Sequence, residues 1–227
     1  MLKARYLVAL TSVVLLGACT QKVKDLNATL QAAFIGPESN QVSQQLVENT
    51  PYASLFAQQD SDPQALLVLG WVEPGLYHQQ FKWLSADNEI LVTEAGRIVK
   101  TVNFQYGDLL RLTATSPDPL ALNLLKPSTP KRWQYTLDWQ PGYHIGYQAE
   151  SQFILGQAEN VTMPTQTKLL IPVTEVVTVK ALSLSYQNTF WLNPQTGLVE
   201  MAEQHLFPGS KIFKTAIGKA YSAGASS

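Results

Sequence analysis

The carboxylates of this sequence are its candidates for acid–base catalysis, because its 3 histidines form no motif. His78, His144 and His205 are scattered and lack the paired spacing of a metal-binding or catalytic site. Two carboxylates can hydrolyse a glycosidic bond, one as the general acid and the other as base or nucleophile. The candidates are Glu73, Asp87, Asp108, Asp138, Glu150 and Glu175. Their spacing does not decide which of them meet, so a periplasmic enzyme that modifies polysaccharides stays an alternative.

Tryptophan is the second residue type with recognisable binding chemistry. An indole ring has a flat apolar face that stacks on a sugar ring, although aromatic side chains also fill β cores. We take Trp71, Trp83 and Trp191 as candidate contacts for a glycan or a partner protein. Phe190 and Trp191 are neighbours in a predicted strand and therefore point to opposite faces. Because the face of Phe190 is the more apolar one, we predict Phe190 in the core and Trp191 only partly covered.

The single cysteine, Cys19, ends a segment with the features of a lipoprotein signal peptide. Lys3 and Arg5 precede an apolar stretch, Tyr6 to Ala18, which is shorter than the ~20 residues of a membrane-spanning helix. The stretch runs into Leu16-Gly17-Ala18-Cys19, which is similar to a bacterial lipobox. We predict cleavage between Ala18 and Cys19 and attachment of acyl chains such as palmitate to Cys19. Several acyl chains make such an anchor effectively permanent.

Composition excludes several classes of protein. The 227 residues are 45% hydrophobic, 10% aromatic and 15% charged, which is a composition that folds. A net charge of -1 without clustered Lys or Arg gives no case for nucleic-acid binding. One cysteine excludes a disulfide framework and a Cys-rich zinc site. We find no phosphate- or dinucleotide-binding glycine motif and expect no metal and no cofactor.

Helical spacing is confined to the region before Pro51. Residues 1–18 are the predicted signal peptide, and residues 19–50 are a lipidated N-terminus with helical segments. Between Thr20 and Phe34 the apolar residues recur every three or four positions, as on one face of a helix. Asn40 can cap a second short helix that carries Val42 and Leu46 and ends before Pro51.

Strand patterns dominate the rest of the chain. Gly96 and Gly197 lie in predicted hairpin turns. Leu169 to Ala181 alternates, with Glu175 interrupting its apolar face and Pro172 indicating an edge or a bulge. The other predicted strands lie within 65–72, 89–92, 97–104, 109–114, 133–139, 143–154, 186–192, 198–205 and 212–217. We predict a mainly β fold, a single antiparallel domain over residues 51–221 with a curved or barrel-like sheet, one or two N-terminal helices, and a flexible tail at 222–227.

Several short segments, spread in order from about residue 51 to residue 199, carry a family resemblance. They are Pro51-Tyr52-Ala53-Ser54-Leu55, Val68-Leu69-Gly70-Trp71, Lys82-Trp83-Leu84-Ser85 with Asp87-Asn88, Leu91-Val92-Thr93, Gly96-Arg97 with Lys100-Thr101, Asp118-Pro119-Leu120, and Gln187-Asn188-Thr189-Phe190-Trp191 with Thr196-Gly197. In this order they resemble the group 4 capsule polysaccharide lipoproteins of bacterial outer membranes, known as the GfcB/YjbF family. The segment from Gly142 to Ser185 matches less clearly.

The resemblance implies an outer-membrane lipoprotein, facing the periplasm, that serves exopolysaccharide or capsule export without enzyme activity. Thr20 after the cysteine, rather than an aspartate, agrees with transfer to the outer membrane in bacterial lipoproteins. The implied partners are an outer-membrane β-barrel and periplasmic exopolysaccharide-secretion proteins, with polysaccharide as a further candidate ligand and no nucleic acid. The family has no catalytic residues that could be assigned to this sequence. Its lipidated cysteine corresponds to Cys19. An envelope assembly chaperone stays a further alternative.

Overall fold

A computed structural model describes residue 42 and residues 44–222 of the chain. The predicted signal peptide, the lipidation site Cys19, the helix from Thr20 to Phe34 and the cap Asn40 lie outside the described residues, as do residues 223–227. Within residues 44–222, no helix combines the length and hydrophobicity that a membrane crossing requires.

The described chain is mostly β-structure. A short helix, α1 (Gln44–Asn49), precedes thirteen strands. The strands are β1 (Ser54–Gln59), β2 (Ala65–Pro74), β3 (Gln79–Leu84), β4 (Ile90–Glu94), β5 (Arg97–Val102), β6 (Asp108–Thr113), β7 (Arg132–Gln140), β8 (His144–Leu155), β9 (Glu159–Thr162), β10 (Thr167–Val179), β11 (Leu184–Leu192), β12 (Val199–His205) and β13 (Ile212–Lys219). A 3₁₀ turn, Lys180–Leu182, joins β10 to β11.

The strands form one antiparallel sheet that nearly closes into a barrel, so the predicted fold class is confirmed. Their order is β5-β4-β3-β2-β1-β13-β12-β11-β10-β8-β7-β6, with β9 pairing to the first part of β10. Side chains bridge the seam between β5 and β6, because Thr101 Oγ1 donates to Asp108 Oδ1 over 2.8 Å and accepts from the Leu109 N–H over 2.9 Å. The sheet therefore encloses an interior that must be filled by side chains.

Apolar and aromatic side chains fill this interior around one ionic cluster. Arg97 on β5 is 2% exposed and donates two hydrogen bonds of 2.9 Å to the carboxylate of Glu175 on β10. Ser151 and Asn188 also donate to Glu175, over 2.5 and 2.7 Å. Every strong acceptor site of the buried carboxylate is thus engaged, as a charge removed from water requires.

Aromatic rings surround the guanidinium group of Arg97. Its central carbon lies 5.0 Å from the ring centroids of Trp133 and Phe190, 5.8 Å from that of Tyr135 and 5.9 Å from that of Phe153. These ring faces are a favourable environment for a cation in a dry interior. Glu175 therefore interrupts the apolar alternation of β10 because its carboxylate binds a cation, Arg97, that reaches it from β5.

The long connection between β6 and β7 covers one end of the barrel. Its Leu120 and Leu124 are buried in the inner core, and its Asp118 accepts a 2.5 Å hydrogen bond from Arg97 Nε. Asn123 of the same connection donates to the Thr196 carbonyl in the β11–β12 turn. Gly197 in that turn has a φ of 73° and leaves no room for a Cβ beside Asn123.

A second apolar cluster lies on the outer surface of the barrel. Phe56 and Leu66, on β1 and β2, are covered by Val47 of α1 and by Met163 and Leu170 of the hairpin β9–β10. We call the hairpin from Glu159 to Leu170 the arm. Pro172 lies where the partner of β10 changes from β9 to β8, so its missing N–H interrupts no ladder.

The two faces of β11 test this division into inner and outer clusters. Phe190 is fully buried in the barrel, whereas Trp191 packs half-buried against the outer cluster, as the alternation predicted.

We expect Phe190→Ala to lower the free energy of unfolding by about 3–5 kcal/mol, because it leaves a cavity beside Arg97. Trp191→Ala should cost about 1–2 kcal/mol. Denaturant unfolding of both variants measures the difference, and equal losses would contradict the separation of the two clusters.

Candidate functional site

The most exposed of the three candidate tryptophans, Trp71, lies on the outer face of β2. It is 41% exposed, and its indole N–H donates to Glu73 Oε1 over 2.8 Å. Lys82 on β3 forms an ion pair with Glu73, and its ammonium nitrogen lies 5.5 Å from the Trp71 ring centroid. The three side chains form one fixed polar and aromatic surface, which we call the Trp71 surface.

Glu73 of the Trp71 surface is held in its charged form. The hydrogen bonds from Lys82 and Trp71 lower the pKa of Glu73 below its usual value. A flat aromatic face beside an ionised carboxylate and an ammonium group has the chemistry of a carbohydrate contact, since it combines apolar stacking with hydrogen bonding.

Trp83 does not share this surface. Its side chain is 3% exposed, stacks on Phe81 at 6.1 Å between ring centroids and donates to Thr93 Oγ1 over 2.9 Å. Its ring is covered by protein, so its assignment as a binding platform is corrected to a core role. The register of β2 against β3 shifts between Leu69 and Trp71, which explains why two tryptophans on paired strands face opposite sides.

Trp191 lies elsewhere, beneath the arm. Its indole N–H faces Glu159 Oε1 at 3.4 Å, and its ring packs with Met201 on the outer cluster. The three tryptophans named from the sequence therefore occupy three separate places and do not form one site.

The candidate carboxylates are dispersed over the fold, and most have a basic partner or a structural role. Glu73 pairs with Lys82, Asp138 with Arg111, Glu150 with Lys180 and Glu175 with Arg97. Asp108 accepts from Thr101 and from the N–H groups of Asn103 and Phe104, while Asp87 lies exposed in the β3–β4 turn.

Glu175 shares Arg97 with Asp118, a carboxylate that was not among the candidates predicted from the sequence. Burial raises the pKa of Asp118, an effect that the guanidinium of Arg97 opposes. The Asp118 and Glu175 carboxylates raise the pKa of Arg97 well above its ordinary value, although burial opposes them. The side chains of Asp118 and Glu175 are 9% and 0% exposed, so a polymer in solution does not reach them.

The histidines also lie apart. His144 stacks on Trp139 with ring centroids 4.5 Å apart, His205 Nδ1 is 2.7 Å from the Ser210 carbonyl oxygen, and His78 lies in the β2–β3 turn. In the part of the chain that the structure describes, no three His, Cys, Asp or Glu residues converge in a way that could hold a metal ion.

Comparison with known proteins identifies the family. Residues 27–216 match the family described as group 4 capsule polysaccharide lipoprotein gfcB, YjbF. The chain belongs to this family. Membership of a lipoprotein family implies a membrane-anchored protein of the cell envelope, and the family description associates it with capsule polysaccharide.

Two relatives come from Escherichia coli K12. The chain is 30% identical to the uncharacterized lipoprotein GfcB over 195 residues, covering 86% of this chain and 88% of that protein. It is 29% identical to the uncharacterized lipoprotein YjbF over 211 residues, covering 91% and 93%. The crystal structure of the hypothetical lipoprotein YmcC from Escherichia coli K12 superposes with a TM-score of 0.70 at 30% identity, covering 81% of this chain and 92% of that one.

Two variants separate the Trp71 surface from the core. Trp71→Ala should change the free energy of unfolding by no more than about 0.5 kcal/mol, because its ring is exposed. Trp83→Ala should cost about 3–5 kcal/mol, because its ring is enclosed and its N–H has a buried acceptor. Chemical denaturation measures both values. A comparable loss in the two variants would mean that Trp71 is part of the core.

Proposed function

We propose that this chain is a non-catalytic accessory lipoprotein of exopolysaccharide or capsule secretion. In this proposal Cys19 holds it at the outer membrane, facing the periplasm, and the β domain acts by binding. The observation that carries the proposal is the family match over residues 27–216, whose description refers to capsule polysaccharide. The lipobox Leu16-Gly17-Ala18-Cys19 supports the anchor independently of that match.

The environment of the carboxylates supports binding rather than catalysis. A glycosidase needs a protonated acid and an ionised partner on opposite sides of a bond that is open to substrate. Here Asp118 and Glu175 share one buried arginine, and the accessible Glu73 and Glu150 are ionised beside lysines. Burial raises the pKa of Asp118 but also removes it from solvent, whereas Glu73 and Glu150 are accessible but have a lowered pKa; a general acid requires a raised pKa together with access.

The surface of the domain supports a binding role. The interior is occupied by the ionic cluster and aromatic rings, which leaves the outer face and the loops for partners. The Trp71 surface offers an exposed indole ring, and aromatic residues are enriched where proteins bind other proteins. The proposed ligands are the polysaccharide, an outer-membrane β-barrel and periplasmic secretion proteins.

Deletion and complementation test the proposal. Deleting the gene in its native host should reduce surface polysaccharide under conditions that induce the locus. The wild-type gene should restore it, whereas Cys19→Ala should leave an uncleaved precursor without lipid and restore little. Surface polysaccharide is quantified by extraction and sugar analysis, with lipid labelling and immunoblots as controls for maturation.

Two results would contradict this proposal. Unchanged polysaccharide in the deletion strain would remove the export role. Normal lipid labelling and cleavage of the Cys19→Ala protein would remove the anchor.

A further inference from the structure

A cleft of about 230 Å³ lies on the outer surface of the barrel, between the arm and strands β1, β13 and β12. Thr162 and Pro164 of the arm form one wall. By this measure one water molecule needs ~10–15 Å³, so the cleft has room for a ligand several times larger than water. This half-open cleft combines a defined volume with a regular arrangement of polar side chains.

The floor of the cleft follows from the strand register. Gln58 on β1 is opposite Lys214 on β13, and Lys214 is opposite Glu203 on β12. The next pairs in the same direction are Glu203 with Thr189 on β11 and Thr189 with Thr174 on β10. Gln64, which also lines the cleft, extends this row beyond Gln58. The result is a row of hydrogen-bonding side chains across the strands, which we call the polar row.

The neighbouring row, two residues along each strand, has the opposite character. Phe56 is opposite Ala216, Ala216 is opposite Met201, and Met201 is opposite Trp191. This apolar row is the floor of the outer cluster, and the arm covers it with Met163 and Leu170. The arm therefore covers the apolar row and stops at the boundary with the polar row, where Thr162 and Pro164 line the cleft.

The polar groups of the row are available to a ligand. Glu203 and Lys214 form an ion pair of 3.0 Å and remain 35% and 47% exposed. Gln58 donates its amide N–H to the Asp62 carbonyl, and among the described residues its amide oxygen accepts no hydrogen bond. Among the described residues, the side chains of Gln64, Thr162, Thr189 and Thr174 have no hydrogen-bond partner.

We propose that the polar row and the arm form a binding site for a polysaccharide chain, with about one sugar residue enclosed in the cleft. Strands are ~4.8 Å apart, so the row presents hydrogen-bonding groups at a spacing comparable to that of sugar residues in an extended chain. Amides, hydroxyls and a neutralised ion pair suit the hydroxyl groups of a sugar, while Pro164 and Met201 provide apolar contact for its C–H face. This inference rests on the proposed function, because that function supplies the polymer.

Paired variants test the site in the full-length lipidated protein, purified in detergent. The probe is the size-fractionated exopolysaccharide of the strain that carries the gene, with dextran as an unrelated polymer. Glu203→Ala combined with Lys214→Ala removes the ion pair of the polar row without changing net charge. Glu150→Ala combined with Lys180→Ala removes a surface ion pair of 2.8 Å elsewhere, between β8 and the 3₁₀ turn. Thr189→Val tests the row where it leaves the cleft.

Isothermal titration of wild-type protein should detect the exopolysaccharide and not dextran. The Glu203/Lys214 variant should bind it about tenfold more weakly, and Thr189→Val should weaken binding by a smaller factor. The Glu150/Lys180 variant should bind like the wild type. Equal melting temperatures of the two double variants establish that the loss is local.

Three results would overturn the site. Equal affinity of the two double variants would place the polymer elsewhere on the protein. Absence of binding by the wild type, in a host whose deletion strain loses polysaccharide, would reject the site while the proposed function stands. A Glu203/Lys214 variant that keeps polymer affinity but loses a cross-linked envelope protein would make the polar row a protein interface. Failure of the proposed function itself is recognised separately, by unchanged polysaccharide in the deletion strain.

Discussion

The pairing of Arg97 with Glu175 inside the barrel constrains the rest of the structure. Burying a charged guanidinium group to 2% exposure costs free energy unless protein groups accept its hydrogen bonds and balance its charge. The partners come from separate parts of the sheet: Glu175 from β10, Asn188 from β11, Ser151 from β8, and Asp118 from the loop before β7. Each of these elements must reach its place for the cluster to be complete. The cluster therefore favours one closure of the sheet over other compact arrangements of the same strands.

A filled interior determines where the protein can act. A barrel with an open lumen can hold a ligand in its interior, but here Trp133, Phe153 and Phe190 pack around the cluster. The β6–β7 connection adds Leu120 and Leu124 at one end. For the proposed binding function this leaves the outer face, where the arm covers an apolar surface and borders a polar one. The arm is the element that distinguishes this outer face from an ordinary solvated sheet.

Much of the fold was predictable from local pattern. The β4–β5 and β11–β12 hairpins, the alternation of β10 and the burial of Phe190 follow from side-chain alternation and turn residues, and all four are confirmed. Strands β1, β3 and β9 were not predicted. β9 has only four residues, Glu159–Thr162, and β1 buries Ser54 and Gln59, so neither has a clear alternation of apolar and polar residues.

The site was less predictable than the fold. Trp71 and Trp83 look equivalent in sequence, and a shift in strand register decides that one is exposed and the other buried. The cation that explains Glu175 lies 78 positions away in the sequence, so the interrupted alternation of β10 did not identify it. The polar row is invisible in the sequence, because its members come from different strands and only the sheet register aligns them.

A double-mutant cycle on Arg97 and Glu175 tests most directly whether this pair determines the closed fold. Unfolding free energies are compared for the wild type, Arg97→Met, Glu175→Leu and the double variant. Arg97→Met leaves the buried carboxylates of Glu175 and Asp118 without their cation, and Glu175→Leu leaves Arg97 with Asp118 but without its bidentate partner, so each single variant should cost about 3–5 kcal/mol. The double variant should cost clearly less than the sum of the singles, with a coupling energy of about 2–3 kcal/mol. Single costs below about 1 kcal/mol that add without coupling would contradict the account.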